Sequence, residues 1–342
     1  MLFRSQGLLD ASEDDKTTEK VKEFATYLLD NWDSIVRRQD FQMTGSCYEV
    51  IGCPSMYMFG ERLPRPNPGT LKPNSRITYN RKKGLNAKTH AFIDRTETLF
   101  CNRWFIPQNY EDYQLIYAGK ALKPNANDRP VGNYPMNADH PLLKEDRVKG
   151  FLNVPTWIDF LKKSRFNFGT RIHGNIAGVL AGVPVFIFAP DSRVVELADY
   201  HNIPYMTVDE INDNTEIFRI YESQDFRRVN DGHAERCRHY LDFLRTNDIP
   251  NIWDGTEHYF LGKTPYDRFV KTTDFHQPVQ CYSSLDDEHK KKIKKEYKAI
   301  RGERKILMEE RKEKNEQNIT AKVEKSTFAR ECEDKKTDKE KI

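Results

Sequence analysis

Apolar positions change their period several times along the chain. Over residues 16–32, Val21, Phe24, Ala25, Leu28 and Leu29 recur at helical spacing between charged residues, which predicts an amphipathic helix. Residues 49–52 read as a short strand. Residues 62–73 hold four prolines, and they predict a linker with neither helix nor central strand. A strand is expected at 76–80, a helix near 90–101, and a second strand at 114–118, ended by Gly119. Residues 119–150 are polar and rich in Pro, Asn and Asp, and they read as an irregular insertion.

Beyond residue 150 the pattern becomes regular, with helix 156–163, strand 165–169, helix 173–182, strand 184–189 and helix 193–200 expected in turn. Strands separated by helices of this length make βαβ units and hence a parallel sheet. The unbroken apolar run Val185-Phe186-Ile187-Phe188 suits a strand covered on both faces. A further helix, 234–245, sets Cys237, Tyr240, Leu241 and Leu244 on one side. From Asp286 onward the chain is rich in Lys and Glu, with Ile293, Tyr297, Ile300 and Leu307 spaced as a short heptad seam. This predicts a charged helix, either solvated or bound to a partner, followed beyond Lys314 by a segment too polar to build a core.

Composition narrows the function classes. With 342 residues, 37% of them hydrophobic and 12% aromatic, the chain can bury a sizeable core. The net charge of +3 is unevenly spread, because residues 286–342 hold 19 Lys and Arg against 15 Asp and Glu. A near-neutral body argues against a nucleic-acid binder, which needs a clustered basic face. The six cysteines stand apart, without a CxxC pair or a Cys/His cluster, so neither a metal site nor a disulfide framework is expected. No stretch approaches the roughly 20 apolar residues of a membrane span. Reduced thiols and a cytoplasmic location are the expectation, with no cofactor.

Three expected strand ends converge on one edge of the sheet. Strand 165–169 runs into Thr170-Arg171-Ile172-His173, strand 184–189 into Asp191-Ser192-Arg193, and strand 76–80 into Arg81-Lys82-Lys83. In open parallel sheets ligands sit outside the carboxyl ends of the strands, where helix N-termini bind anions. Arg171 suits a bidentate grip on carboxylate or phosphate, and His173 titrates near neutrality. Small residues in the following helix (Gly174, Ala177, Gly178, Ala181, Gly182) would let it pack close to the sheet. The structural alternative is that Arg171 pairs with a carboxylate, His173 satisfies a helix end, and Asp191 is an N-cap.

The string Phe168-Gly169-Thr170-Arg171-Ile172-His173-Gly174-Asn175, then Leu180-Ala181-Gly182-Val183-Pro184-Val185, Asp191-Ser192-Arg193, Glu196-Leu197 and Ile203-Pro204, resembles in order and spacing the C-terminal core of the polysaccharide pyruvyl transferases. Gly52-Cys53-Pro54-Ser55-Met56-Tyr57 is similar to that family's Gly-Cys-Pro-Ser element, and Tyr240-Leu241-Asp242-Phe243-Leu244 to its closing helix. The resemblance covers roughly residues 34–250.

It implies an α/β fold with a Rossmann-like parallel sheet domain of GT-B-like type, in which two such domains face each other across a cleft. It further implies phosphoenolpyruvate as donor, a sugar or lipid-linked glycan as acceptor, and transfer of pyruvate as a cyclic ketal with release of phosphate. On the matching Arg-x-His motif, Arg171 would grip the donor and His173 would protonate its methylene carbon. Ile172 and Gly174 share that turn, and Asp191 and Arg193 complete the donor-binding set. Arg81 is added from its strand position alone.

Only about 50 residues precede Gly52, fewer than the family's whole first domain. The expected organisation is therefore an incomplete N-terminal domain over 1–60, a Pro-rich linker over 61–75 and the pyruvyl transferase domain over 76–255. An irregular extension over 256–285 and a charged helical tail over 286–342, suited to a partner or to self-association, follow. Two other function classes fit the same residues: a GT-B-type glycosyltransferase using a nucleotide sugar, and a non-catalytic fragment that binds a glycan or a partner.

Overall fold

A computed structural model describes residues 49–123, 131–251, 265–303, 306 and 309. The helix expected over 16–32, the Leu307 position of the heptad seam and the segment beyond Lys314 lie outside these residues. The chain divides into two compact units, Met1–Ser284 and Leu285–Ile342.

The first unit is built on five parallel strands, β1 (Arg76–Asn80), β2 (Asn102–Phe105), β3 (Phe166–Gly169), β4 (Val185–Ala189) and β5 (Tyr205–Thr207), in the order β2-β1-β3-β4-β5. The helices are α1 (Ala87–Thr98), α2 (Tyr110–Ala118), α3 (Pro141–Lys144), α4 (Val154–Leu161), α5 (Ile172–Leu180), α6 (Ser192–Tyr200), α7 (Ile217–Ser223), α8 (His233–Thr246) and α9 (Pro265–Thr272). This is an α/β, Rossmann-like arrangement.

Alternation along the strands sorts the two layers, since successive side chains point to opposite faces. Ile77, Tyr79, Phe166, Phe168, Phe186 and Phe188 pack under α1, α2 and α7. Val185, Ile187 and Ala189 pack on the other face against α4, α5, α6, α8 and the segment from Cys53 to Leu63. The β3-α5-β4-α6 run matches the expected elements to within two residues.

Two local expectations are corrected. Residues 114–118 belong to helix α2, not to a strand. Their short apolar run has no period of its own, and the ends decide: the Asn109 N–H donates to Asp112 Oδ2 at 3.2 Å, and Gly119 closes the helix at φ 68°. The strand next to β1 is instead β2, whose Asn-Arg-Trp-Phe sequence shows no apolar alternation because it is an edge strand. Its Trp104 is covered by cations, with Arg76 4.7 Å and Arg147 4.8 Å from the ring.

Residues 49–52 form no strand. There Gly52 turns at φ +68°, with Tyr200 and His201 so close that a Cβ would fall 2.5 Å and 2.6 Å from them. The Cys53 N–H donates to His201 Nε2 at 2.8 Å.

Residues 62–72 carry neither helix nor strand, as the prolines predict. Residues 119–123 and 131–150 are largely irregular, with α3 as their single helix. In the second unit, residues 287–303 form a helix that starts at Asp286, whose carboxylate accepts from the His289 N–H at 2.8 Å. Ile300 on it is 51% exposed.

Polar residues interrupt the face that α5 covers, and they form one network. Thr78 donates to Asn167 Oδ1 at 2.9 Å, and Asn167 Nδ2 donates to Asn175 Oδ1 at 3.0 Å. Asn175 Nδ2 donates to the carbonyls of Gly169 and Arg171, each at 3.0 Å. Asn80 Oδ1 accepts from the Arg171 N–H at 2.8 Å. All four side chains are buried, so each bond is made where an unpaired amide would be costly.

Asn167→Ala takes the partner from the Thr78 hydroxyl and from Asn175 Oδ1, and the expected loss is about 2–3 kcal/mol of unfolding free energy by urea titration. A loss below about 0.5 kcal/mol would show the network to be energetically idle.

The buried His201 titrates far from its ordinary value, held down to about 3 by desolvation and then by Arg236 and His233. Its folded value lies below the unfolded one, so its contribution is intact above pH 6.5 and declines as pH falls toward 3. Between pH 7 and pH 5 the wild type should lose about 2 kcal/mol that His201→Asn, which keeps an acceptor but does not titrate, does not lose. Equal losses in the two proteins would refute the assignment.

Candidate functional site

The strand order places the switch point between β1 and β3, where one chain connection leaves toward β2 and the other toward β4. In folds of this order the ligand crevice opens at that point, outside the carboxyl ends of the strands. Gly169 ends β3 at φ +150°, and a Cβ there would overlap the Asn80 carbonyl and amide. The glycine thus lets the two strand ends meet. Thr170 N–H donates to Asn80 O at 3.2 Å, and Lys82 N–H donates to Thr170 Oγ1 at 2.9 Å.

Arg171 is the N-cap of α5, in extended conformation at φ −105° and ψ 115°. Its backbone N–H is taken by Asn80, and its Nε donates to the Arg81 carbonyl at 3.2 Å. These two bonds aim the guanidinium. No carboxylate forms an ion pair with it among the described residues, although its charge acts on Asp112 and Tyr134.

The first turn of α5 holds Ile172, His173 and Gly174, whose backbone N–H groups have no intrahelical acceptor. The Ile172 side chain is buried in the apolar layer, so only its backbone is available. Neither ring nitrogen of His173 has a hydrogen-bond partner among the described residues. Burial, and then the nearby Arg193 charge, hold its imidazole below the usual histidine value. His173 is therefore not the helix cap, and Arg171 is not half of a structural ion pair. Closer still to the sheet, a Cβ on Gly178 would lie 2.8 Å from both Asn167 and Val185, so the small residues of α5 do bring it against the strands.

The remaining sequence-predicted residues divide. Arg193, in the first turn of α6, acts on His173. Asp191 caps α6 through Val194 N–H at 3.1 Å and accepts from Lys82 Nζ at 2.9 Å. Burial would raise its carboxyl, but the Lys82 bond and charge outweigh burial and hold it below the ordinary range. The Arg81 guanidinium is turned away from α5. It is 1% exposed, pairs with Asp94 at 2.5 Å and lies 5.6 Å from the Tyr134 ring. Its backbone carbonyl, not its charge, serves Arg171.

Several neighbours escaped the sequence reading. Asn80 and Asn167 could have been found as amides inside otherwise apolar strands. Asp112 and Tyr134 join the site from α2 and the irregular segment, with Tyr134 OH donating to Asp112 Oδ2 at 2.9 Å. Burial raises the Asp112 carboxyl, partly offset by Tyr134, the Asn109 N–H, Lys83 and Arg171. The Asn133 N–H donates to Asp94 at 2.9 Å, which ties the irregular segment to α1. No group of three or more potential metal ligands occurs among the described residues, and no described helix is long and apolar enough to cross a membrane.

The arrangement suits a small polyanion: a helix N-terminus, an arginine with no ion-pair partner among the described residues and a neutral imidazole meet at the switch point. No curated protein matches the chain. A family model described as polysaccharide pyruvyl transferase matches residues 6–192, more than half of the 342 residues and inclusive of β1 through β4 and the first turn of α5. The chain belongs to the polysaccharide pyruvyl transferase family.

Proposed function

We propose that the chain transfers pyruvate from phosphoenolpyruvate to two hydroxyls of a glycan, with the donor held at the first turn of α5. The observation that carries this reading is the pairing of Arg171 and His173 at the switch point, the one held by backbone contacts and the other without a hydrogen-bond partner among the described residues. Arg171 and the backbone N–H groups of Ile172, His173 and Gly174 would take the donor's carboxylate and phosphate, with Arg193 adding positive charge. Asp191 would act through Lys82 and the α6 cap. For Arg81 the reading retains a backbone part only.

In the reaction the His173 imidazolium gives its proton to the donor's methylene carbon, and a sugar hydroxyl bonds to the adjacent carbon. The C–O bond to phosphate then breaks, and the second hydroxyl closes the ketal. Of the two hydroxyl protons released, one restores His173 and the other leaves with phosphate. General acid catalysis of this kind contributes roughly 10²- to 10⁴-fold. A bound polyanion beside the ring favours its charged form, which offsets the depression caused by burial and Arg193.

Phosphoenolpyruvate at millimolar concentration should raise the melting temperature of the full chain, and Arg171→Ala should abolish that rise. His173→Gln should keep most of the binding and lose at least about 100-fold in turnover. Stabilisation by a nucleoside diphosphate sugar, with no response to phosphoenolpyruvate, would replace this reading with glycosyl transfer.

Because the protonated ring is the acid, kcat/KM should fall as pH rises through the His173 pKa, which lies below the ordinary value of 6.5 in the free protein. Arg193→Gln removes a charge that holds the pKa down, so the fall should move to higher pH, whatever happens to its height. An unmoved profile would exclude His173 as the proton donor.

A further inference from the structure

A third wall of the same crevice comes from the connection between β2 and α2. Gln108 lies there, one residue before Asn109, the N-cap of α2. With β2 beside β1 and β3 on β1's other side, a side chain leaving the end of β2 reaches α5 by crossing the end of β1 at Asn80. Gln108 does this. A Cβ added to Gly174 would overlap Gln108 Nε2 and lie 2.9 Å from Asn80 Nδ2. The glycine thus makes room for a carboxamide against the first turn of α5. That amide nitrogen is buried and has no hydrogen-bond partner among the described residues.

Buried amide N–H groups are almost always paired. This one sits beside the backbone N–H groups that an anion at a helix N-terminus accepts from. The first turn of α2, into which the connection leads, carries Asp112, whose buried Oδ1 has no hydrogen-bond partner among the described residues and whose carboxylate responds to Arg171. The connection and the start of α2 therefore border both the helix turn and the guanidinium.

We infer that Gln108 is a donor-binding residue, giving a hydrogen bond from Nε2 to an oxygen of phosphoenolpyruvate held at α5; this rests on the proposed pyruvyl transfer. A glutamine suits the position because it donates without charge. A carboxylate of the same shape would face the anion with like charge and no N–H. Gly174 is then a glycine on account of Gln108 and Asn80, since its place in the first turn of a helix does not by itself require one.

The test is calorimetric titration of the full chain with phosphoenolpyruvate and, separately, with inorganic phosphate. Gln108→Ala should weaken phosphoenolpyruvate binding at least about tenfold, and the isosteric Gln108→Glu should weaken it further. The melting temperature of the ligand-free protein should stay within about 1 °C in both variants, which separates contact with the ligand from a structural role. Gly174→Ala should weaken binding by displacing Gln108 and should add little to Gln108→Ala. Phosphate affinity falling in parallel would assign the bond to the phosphoryl group, and unchanged phosphate affinity would assign it to the carboxylate. If the wild type binds phosphoenolpyruvate and both Gln108 variants bind it within twofold of wild type, the inference fails while the pyruvyl-transfer reading stands. If the wild type binds none, both fail.

Discussion

The hydrogen bond from the Arg171 N–H to Asn80 Oδ1 joins the ends of the two strands between which the site opens. Asn80 ends β1 and Arg171 follows β3, so the bond fixes the start of α5 relative to both. It holds only because the layer beneath α5 carries amides where hydrocarbons would pack as well. Asn167 and Asn175 complete a chain of donors and acceptors from Thr78 to the Gly169 and Arg171 carbonyls. An amide can both give and accept, and a closed chain of amides avoids the desolvation cost of an unpaired group while specifying one geometry. An apolar layer of the same volume would hold the helix against the sheet, but it would leave the rotation and height of the first turn to side-chain packing.

Charge at the crevice is sorted by the same geometry. Lys82 is committed to Asp191, and Arg81 to Asp94. Each pair is partly buried, so its cation is neutralised at short range and adds little to the field at α5. Arg171 is held by neutral groups instead, through its own backbone and through a carbonyl. That difference leaves the positive charge at the crevice on Arg171, on Arg193 and on the helix end. It also explains the neutral His173: a half-buried imidazole near Arg193 has no partner among the described residues to stabilise its proton. In the proposed reaction an arriving anion would stabilise that proton, which would couple acid strength to occupancy.

The β3-α5-β4-α6 run was legible because two signals coincide there: the aromatic and apolar residues of the strands, continuous in β4, and helices that start just after them at Arg171 and Asp191. Where only one signal existed, the reading failed. Residues 114–118 are apolar and short, and only the Asn109–Asp112 end contact, not hydropathy, marks them as helix. β2 is an edge strand whose Trp104 is covered by Arg76 and Arg147, so its burial comes from cations that a hydropathy pattern scores as exposed. The site divides in the same way. Arg171 and His173 lie within one motif, so their place at the start of α5 followed from it. The direction of the Arg81 side chain depended on Asp94, thirteen residues away on a helix in the opposite layer. Gln108 depended on the strand order itself.

For the donor site proposed at α5, closeness to the sheet and ligand binding are one problem. Its glycines cost helix stability, about 1 kcal/mol each relative to alanine. Gly178 faces Asn167 and Val185 on the sheet, and Gly174 faces Asn80 and Gln108 at the crevice. A larger residue at 178 would lift the helix from the amide network, and the first turn would move with it. A larger residue at 174 would leave the helix in place and push back the groups around its N-terminus. The two positions therefore separate two quantities that are usually entangled in a helix-end anion site: how near the dipole comes to the ligand, and how many side-chain donors can stand beside it. In this fold both are set by where a Cβ is missing, one turn apart on the same face of α5.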